Sequence, residues 1–318
     1  MKQPIVYGKV ILIAVLAVII TRSLLVTSCF IPSTGMENTL YKDEGVLVNK
    51  WSYGLRLPLQ SVVGYHRLLA KPVGRGDIVV FNNPMPADTS KSVEFREIYI
   101  SRCIGIPGDT LLLNNELLSA DAVIYSPDSK SLYSYPSLYE EVVVSVLSSL
   151  DINDNQLAGY TPEGDYIRSF SNYEYYLVSQ RMGGRVKFTQ LETQSPRDST
   201  SRYYPFIVPR KGIPVKFTPW NTALLCNMIT YHEKKKVRIV EGCTDNDSAE
   251  KDSIVVYVDN KPVTEYTFSQ DFFWMASNDP VNTTDSRLFG FVPENHIIGK
   301  ASRIWYPARK GRFMQRVQ

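Results

Sequence analysis

Hydrophobic residues form one long unbroken run near the N-terminus and many short runs after it. The long run covers residues 10–20, and its apolar character extends over 5–26 with a cation near each end. A helix of about 20 apolar residues crosses the ~30 Å hydrocarbon core of a bilayer. We therefore predict a single transmembrane anchor within residues 1–28, since every later apolar run is too short to span.

The charges around this run predict its orientation. Lys2 and Lys9 lie on the short N-terminal flank, which predicts a cytoplasmic N-terminus and places the rest of the chain across the membrane. A cleaved signal peptide is the alternative, because its N-terminal region is also basic. Arg22 interrupts the segment that would precede a cleavage site, and no A-x-A pattern follows, which favours an uncleaved anchor.

Short β-branched and aromatic runs, separated by turn residues, predict a mainly β structure after the anchor. The clearest runs are 45–49, 77–81 and 98–106, and the last ends at a Pro-Gly-Asp turn. Two hairpins are predicted, one over 111–118 with an Asn-Asn turn and one over 253–268 with an Asp-Asn turn. Hairpins of this kind indicate antiparallel pairing.

Helical periodicity is clear in one stretch, 219–232, where apolar residues share one face after a Thr-Pro start. Residues 126–201 are rich in Ser, Tyr, Asp and Asn and have weak periodicity, which predicts a sparsely structured or partly mobile lobe. The chain is therefore divided into an anchor at 1–28, a first part of a β core at 29–125, an inserted lobe with one helix at 126–252, and a second part of the core with a basic tail at 253–318.

Charge and cysteine content exclude several classes of function. With 35 Lys and Arg against 32 Asp and Glu, the net charge of +3 is too weak to indicate nucleic acid binding. Four cysteines without a CxxC spacing indicate neither a disulfide scaffold nor a metal or cofactor site. A disulfide between Cys226 and Cys243 would form in an oxidising compartment, and buried thiols are the alternative. The five cations within 303–316 predict a solvated tail, with contact to anionic headgroups as the alternative.

An ordered set of motifs follows the anchor: FIPSTGMENTL at 30–40, VNKWSYGL at 48–55, RGDIVVF at 75–81, YISRCIGIPGD at 99–109, DSRLFGFVPE at 285–294 and IGKA at 298–301. In this order and spacing the set resembles the bacterial type I signal peptidase family. VPRKG at 208–212 and YTF at 266–268 are similar to the form common in its Bacteroidetes branch. The resemblance covers the anchor, about 30–118 and about 205–306, and leaves the Tyr- and Ser-rich middle uncovered.

The resemblance implies an antiparallel β catalytic fold, anchored in the bacterial inner membrane with its main domain in the periplasm. It also implies a Ser nucleophile and a Lys general base that cut signal peptides after small residues. A Ser hydroxyl becomes a useful nucleophile only when a base accepts its proton. A Lys amine serves as that base only when burial lowers its pKa.

Both positions of this dyad are substituted here. The family's nucleophile motif reads Pro-Ser-Gly-Ser-Met, and PSTGM at 32–36 places Gly35, which has no side chain, in the nucleophile position. The family's base motif reads Tyr-Ile-Lys-Arg, and Ser101, a weak acid, stands in place of the Lys. Thr34 would be a poor replacement in an extended segment, because adjacent side chains then point to opposite faces.

Other positions of the family's site keep matching residues. Ser33 matches the residue whose hydroxyl helps to form the oxyanion hole, and Asp285 with Arg287 matches a supporting ion pair. Thr283 takes the position of a Ser that hydrogen-bonds the Lys, although one extra residue precedes Asp285 in this chain. The ion pair would also serve to hold two loops together without any catalytic role.

The loss of both dyad groups predicts a non-catalytic, membrane-anchored homologue that binds signal peptides or other extended segments by β-addition. Its predicted partners are those peptides, the lipid bilayer and an active signal peptidase paralogue in secretion. Two alternatives stay open. One is an active type I signal peptidase, a serine endopeptidase with rearranged residues in which Lys50, Lys91 or Lys300 supplies the base. The other is an envelope interaction protein that uses the inserted lobe.

Overall fold

The structure, a computed structural model, describes residues 10–15, 18, 21, 25–58, 60–114, 117, 129–152, 155–191, 203–241, 254–281 and 284–317. Its strands are β1 (Val26–Phe30), β2 (Gly45–Asn49), β3 (Leu55–Arg56), β4 (Arg67–Leu68), β5 (Ile78–Asn82), β6 (Ile98–Gly105), β7 (Thr110–Leu113), β8 (Lys130–Tyr135), β9 (Leu157–Tyr160), β10 (Tyr166–Ser171), β11 (Thr189–Gln190), β12 (Tyr204–Ile207), β13 (Pro214–Lys216), β14 (Val237–Glu241), β15 (Ile254–Val258), β16 (Lys261–Val263), β17 (Glu265–Thr267), β18 (Phe272–Ala276), β19 (Val292–Pro293) and β20 (Ile297–Tyr306).

Helices are fewer and shorter. Residues 10–15 are helical, and the further α-helices are α1 (Gln60–Val63), α2 (Glu140–Ser149), α3 (Asn172–Met182), α4 (Thr222–His232) and α5 (Ser286–Phe289). Single 3-10 turns occur at Lys50–Tyr53, Val93–Phe95, Ser137–Tyr139 and Glu294–His296. The prediction of a mainly β, antiparallel structure is confirmed, and the three clearest predicted strands correspond to β2, β5 and β6.

The chain forms two compact units, which divide it differently from the predicted segments. The first unit contains Met1–Arg102 and Asn295–Gln318, and the second contains Cys103–Glu294. Strands β1, β2, β20, β5 and β6 follow one another in that order in an antiparallel sheet, and β6 carries the chain from the first unit into the second. Strand β20, from the C-terminal part of the chain, thus lies between two strands from the N-terminal part.

Buried side chains on these strands build the core of the first unit. In β2, Val46 and Val48 are buried and Leu47 between them is half-buried, whereas every residue of β5 is buried, including Ile78 and Val80. These side chains pack in one cluster with the segment that follows β1, and its members are Ile31, Met36, Leu40, Val46, Val48, Ile78, Val80, Ala301 and Ile304. The core therefore lies directly beneath the residues of the PSTGM motif.

The second predicted hairpin is confirmed in its first half. Strands β15 and β16 pair across Asp259 and Asn260, whose positive φ angles of 49° and 67° are those of a tight hairpin turn. The chain then continues into β17, which pairs with β13 instead of extending the hairpin. In the first predicted hairpin, β7 pairs with β12, and most of the returning segment at 116–118 lies outside the described residues.

Residues 129–152 and 155–191 form a structured lobe. The expectation of sparse structure in 126–201 is therefore wrong for these residues, and so is the expectation of a single helix in 126–252, which contains α2, α3 and α4. A four-stranded sheet in the order β11, β8, β10, β9 packs with α2 and α3. Helix α3 carries a local signal that reveals it: Ser171 and Glu174 form a reciprocal capping box, and Gly183 ends the helix at a φ of 57°. Helix α4, predicted at 219–232, begins at Thr222.

The predicted anchor falls mostly outside the described residues and stays a prediction, but its predicted end at residue 28 is wrong, because 26–28 belong to β1 and pair with β2. Within the described ranges, no helix combines the length and the apolar character needed to cross a bilayer. Cys226 carries a free, buried thiol, and burial raises its pKa to about 11. Cys243, its predicted disulfide partner, lies outside the described residues.

Candidate functional site

Gly35, which the motif comparison assigns to the nucleophile position, is buried at the start of a turn in the first unit. Its backbone N–H points to the Ser33 hydroxyl, with a nitrogen-to-oxygen distance of 3.4 Å. Ser33 itself is exposed. The position therefore holds a backbone donor and a neighbouring hydroxyl, but no side chain that could attack a carbonyl carbon.

The segment around Gly35 is a turn, which corrects the assumption of an extended segment. The Glu37 N–H donates to the Thr34 carbonyl at 2.9 Å, and the Leu40 N–H donates to the Met36 carbonyl at 2.7 Å. Asn38 has a φ of 73°, a left-handed backbone conformation that residues other than glycine adopt mainly in tight turns. Side chains alternate between two faces only in an extended strand, and this backbone is a turn. The expectation that the Thr34 hydroxyl points to the face opposite Gly35 therefore does not follow.

The residue in the base position, Ser101, lies on β6 opposite Val79 of β5. It is fully buried, and its hydroxyl makes no hydrogen bond to any described atom. An unpaired buried hydroxyl costs about 1–3 kcal/mol of stability. The surroundings of Ser101 are thus dry enough to lower the pKa of a Lys amine, although the residue present is not a base.

The structure brings the flanks of these two positions together. Ile31 and Met36, on either side of Gly35, belong to the core cluster against which Ile100 packs. Arg102, the next residue after Ser101, donates from Nη2 to the Thr39 hydroxyl at 2.9 Å. The strand that carries Ser101 and the turn that carries Gly35 therefore form one assembly.

The C-terminal tail braces the same turn through Arg309 and Arg312, so the prediction of a solvated tail fails for these two cations and is confirmed for the exposed Lys310 and Arg316. Arg312 forms an ion pair with the fully buried Glu44, at 2.7 Å from Nε to Oε1, and donates from Nη2 to the Thr39 carbonyl at 2.8 Å. The Arg312 and Arg309 guanidinium groups lie 4.8 and 3.8 Å from the centre of the Tyr41 ring. Arg309 and Arg312, which the sequence predicted to be solvated, thus contact residues 39–44 and stabilise them.

Lysines proposed as replacement bases have other surroundings. The Lys300 amine donates to the Asp77 carboxylate, which also accepts from the Tyr53 hydroxyl at 3.0 Å. Lys91 is exposed, and Lys50 lines a cavity with Arg56. None of these contacts involves Ser33, Thr34 or Ser101.

Asp285 and Arg287 form an ion pair in the second unit, 2.6 Å apart from Oδ2 to Nη2. The Asp285 side chain is fully buried, caps the start of α5 by accepting from the Arg287 N–H, and accepts from the Ser277 N–H at 2.7 Å. Next to it, the Ser286 hydroxyl accepts from the Met275 N–H at 2.8 Å. The pair therefore fixes the loop after β18 to the start of α5.

Thr283, predicted to take part in the site, lies outside the described residues. Over the described ranges, no group of three or more His, Cys, Asp or Glu side chains is placed to hold a metal ion.

The sequence model of the family described as "Signal peptidase, peptidase S26" matches residues 5–168 and 227–306, together well over half of the chain. The chain belongs to the signal peptidase family. The match extends to residue 168, so it includes part of the middle that the motif resemblance left uncovered. It resumes at 227, inside α4.

Curated relatives carry the family's name. The chain is 34% identical over 139 residues to "Signal peptidase I" of Pseudomonas aeruginosa, a match that covers 40% of this chain and 44% of that protein. It is 24% identical over 292 residues to "Signal peptidase I" of Buchnera aphidicola, covering 91% of this chain and 71% of that protein. "Probable signal peptidase I-2" of Synechocystis is 36% identical over 102 residues, covering 32% and 38%. The chain thus spans less than half of the length of two of these three relatives.

Sequence reasoning missed the residues that hold the site in place. In the sequence, Arg102 stands out only as part of a motif, and no structural role is predicted for Thr39, Glu44 or Arg312. Local sequence carries no signal for a contact between Glu44 and Arg312, which are 268 positions apart. The lack of acidic residues in the tail was a signal that its cations needed partners elsewhere.

Proposed function

We propose that this chain is a membrane-anchored member of the signal peptidase family that binds signal peptides, or other extended segments, without cutting them. The identity of two residues carries the proposal. Gly35 has no nucleophilic atom in its side chain, and Ser101 has no group that accepts a proton near neutral pH. Hydrolysis by a Ser–Lys dyad needs both functions at once.

An exposed strand edge supports peptide binding. Strand β1 pairs with β2 on one side and, among the described strands, with none on the other. Its exposed backbone edge can pair with an extended peptide, and β1 leads within three residues to Ser33. A peptide added there would run toward the turn that carries Gly35.

The matching residues that remain are assigned supporting roles in this proposal. Ser33 offers a hydroxyl to a bound peptide carbonyl, and the Asp285–Arg287 pair keeps the loop after β18 in place, with Thr283 beside it in sequence. Because these interactions need no proton transfer, they would stay useful after the loss of the dyad.

The proposed setting is the outer face of the bacterial inner membrane. An anchor that ends before β1 begins at Val26 would span the bilayer with the N-terminus in the cytoplasm, and an active signal peptidase paralogue would be the partner. The Bacteroidetes-like motifs support a place in that branch. The names of the relatives support signal peptides as the ligand class.

The test uses the full chain in detergent with a preprotein that has a small-residue cleavage site. Cleavage is followed by mass spectrometry, and binding of the matching signal peptide by fluorescence anisotropy. The natural protein is compared with the Gly35→Ser/Ser101→Lys double variant and with each single variant. We expect the natural protein to bind without cutting, and only the double variant to cut, because one dyad member alone is insufficient.

Two results would contradict the proposal. Cleavage at the signal site by the natural protein, lost in Ser33→Ala or Thr34→Ala, would establish an active peptidase with rearranged residues. Absence of peptide binding by the natural protein and by all variants would exclude a peptide-binding role and favour an interaction function of the lobe at 129–191.

A further inference from the structure

A buried histidine lies directly before β20, in contact with a guanidinium group. His296, the last residue of the 3-10 turn Glu294–His296, is only 2% exposed. Its Nε2 lies 3.1 Å from Nη1 of Arg96, and its Nδ1 lies 2.6 Å from the side-chain oxygen of Asn295. Arg96 stands two residues before the start of β6. This pair has no part in the proposed function.

The contact with Arg96 determines the protonation state of the imidazole ring. A guanidinium group only donates hydrogen bonds, and it stays protonated although burial lowers the pKa of Arg96. Nε2 of His296 must therefore accept, which leaves the single ring proton on Nδ1, toward the Asn295 oxygen. The contact thus requires a neutral ring.

Arg96 also holds together the segment between β5 and β6, residues 83–97. Its Nη1 donates to the Asn83 and Pro84 carbonyls at 3.4 and 3.3 Å, and its Nε donates to the Lys91 carbonyl at 3.1 Å. One side chain therefore contacts both the beginning and the middle of the segment and links them to His296. A displacement of this guanidinium group would weaken all of these contacts together.

The segment is connected to two other parts of the first unit. The Glu94 carboxylate accepts from the Gln60 N–H at 3.2 Å and from the Ser61 hydroxyl at 2.6 Å, which attaches α1 to the segment. At its other end the segment continues directly into β6, the strand that carries Ser101. Loosening of residues 83–97 would therefore also release α1.

Three further charged groups lie close to the pair in space or in sequence. Arg67 of β4 donates to the carbonyl of the residue after His296 at 2.6 Å. Glu97, next to Arg96, accepts from a tyrosine hydroxyl at 3.0 Å, and Glu294 precedes His296 by two residues. A carboxylate would reduce the repulsion between a charged ring and the guanidinium groups. It would not restore the hydrogen bond, because a protonated Nε2 presents an N–H to the Arg96 N–H.

We propose that His296 is a pH-sensitive latch for residues 83–97. A histidine side chain ordinarily takes up a proton near pH 6.5, so acidification below that value favours the charged ring. The charged ring separates from Arg96, and the segment becomes mobile together with α1. Neither peptide binding nor the two dyad positions enter this proposal, so it and the proposed function can fail separately.

The test measures hydrogen exchange of the full chain in detergent at pH 5.0 and pH 7.5, by mass spectrometry and with correction for the intrinsic pH dependence of exchange. Peptides that cover residues 84–97 should exchange at least tenfold faster at pH 5.0 in the natural protein. His296→Gln offers Arg96 a neutral acceptor at both pH values and should remove this difference. His66→Gln, which removes an exposed histidine, should keep it.

Three results of this experiment would overturn the proposal. The first is equal protection of residues 84–97 at the two pH values in the natural protein. The second is a pH difference that persists in His296→Gln, and the third is its loss in His66→Gln.

A second measurement keeps the proposal falsifiable if His296→Gln does not fold. Ring signals of labelled histidines are followed by NMR between pH 4.5 and 8 in the natural protein and in Arg96→Gln. Removal of the guanidinium group should raise the pH at which His296 titrates by about 1 pH unit and leave His66 unchanged. An unchanged titration of His296 would overturn the proposal, because Arg96 would then not oppose the proton.

Discussion

Arg102 donates from Nη2 to the Thr39 hydroxyl at 2.9 Å and so joins the strand that carries Ser101 to the turn that follows Gly35. The Thr39 carbonyl accepts from Arg312 of the tail at 2.8 Å. Thr39 thus accepts hydrogen bonds from two guanidinium groups, that of Arg102 on β6 and that of Arg312 in the tail. Two separate parts of the fold therefore hold this turn in place.

Thr39→Val removes the hydroxyl and keeps the shape of the side chain. The buried Arg102 then loses an acceptor, and we expect the free energy of unfolding to fall by about 2 kcal/mol. Urea denaturation measures this loss. Thr110→Val, the same change at an exposed position of β7, should alter stability by less than about 0.5 kcal/mol. Equal effects in the two variants would show that the Arg102 contact contributes little.

Ser101→Ala should stabilise the protein, by about 1 kcal/mol. The Ser101 hydroxyl is buried and unpaired among the described atoms, so its removal relieves a desolvation cost. Ser286→Ala is the matched control. Its buried hydroxyl accepts from the Met275 N–H, and its loss should destabilise by about 1–2 kcal/mol. Chemical denaturation measures the free energy of unfolding of both variants. A destabilised Ser101→Ala would mean that the hydroxyl has a hydrogen-bond partner.

Arg312→Ala leaves the buried Glu44 carboxylate without its cation. Breaking a pair of this kind costs about 3–5 kcal/mol, which would be visible as a lower Tm. Hydrogen exchange at the Leu40 amide should also accelerate, since the turn loses its brace at Thr39. Lys310→Ala, at an exposed tail position, is the control and should change neither measurement. An unchanged exchange rate in Arg312→Ala would contradict the bracing role.

The lobe at 129–191 should lose stability at alkaline pH through Tyr135. Burial, and then the hydrogen bond to the Glu140 carboxylate, raises the pKa of Tyr135 above its ordinary value of 10. Above pH 10 the unfolded chain loses this proton while the folded chain keeps it. Stability from this group is therefore complete below pH 10 and falls by up to about 1.4 kcal/mol per pH unit above it.

Urea midpoints at pH 8, 9, 10 and 11 measure this dependence. Tyr135→Phe should make the curve flatter above pH 10, because the titrating group is gone. Tyr173→Phe, at a side chain that is 69% exposed, should keep the shape of the natural curve. Identical curves for the two variants would assign the alkaline loss to other groups.

Elements with strong local patterns were predictable. Gly45–Asn49, Ile78–Asn82 and Ile98–Gly105 are β-branched runs that end at turn residues, and each is a strand. Helix α2 was missed because its sequence, EEVVVSVLSS, is rich in β-branched residues that favour strands. It is helical because Val143 and Leu147, one turn apart, are buried together in the core of the lobe.

The candidate site was predictable only where residue identity decides chemistry. The motifs assign Gly35 and Ser101 to the two dyad positions, and residue identity alone then predicts that neither supplies a nucleophile or a base. Their surroundings were not predictable. The turn at Gly35 depends on local backbone bonds that the motif does not encode, and the ion pair of Arg312 with Glu44 depends on the complete fold.

The insertion of β20 between β2 and β5 has a consequence for how the protein is made. During synthesis, β1, β2, β5 and β6 leave the ribosome long before β20. Until β20 is synthesised, β2 and β5 each have a strand edge with unpaired backbone groups. Premature termination would leave those edges permanently unpaired and open to proteases and to aggregation. The unit that carries Gly35 and Ser101 can therefore complete its sheet only after β20 has been synthesised.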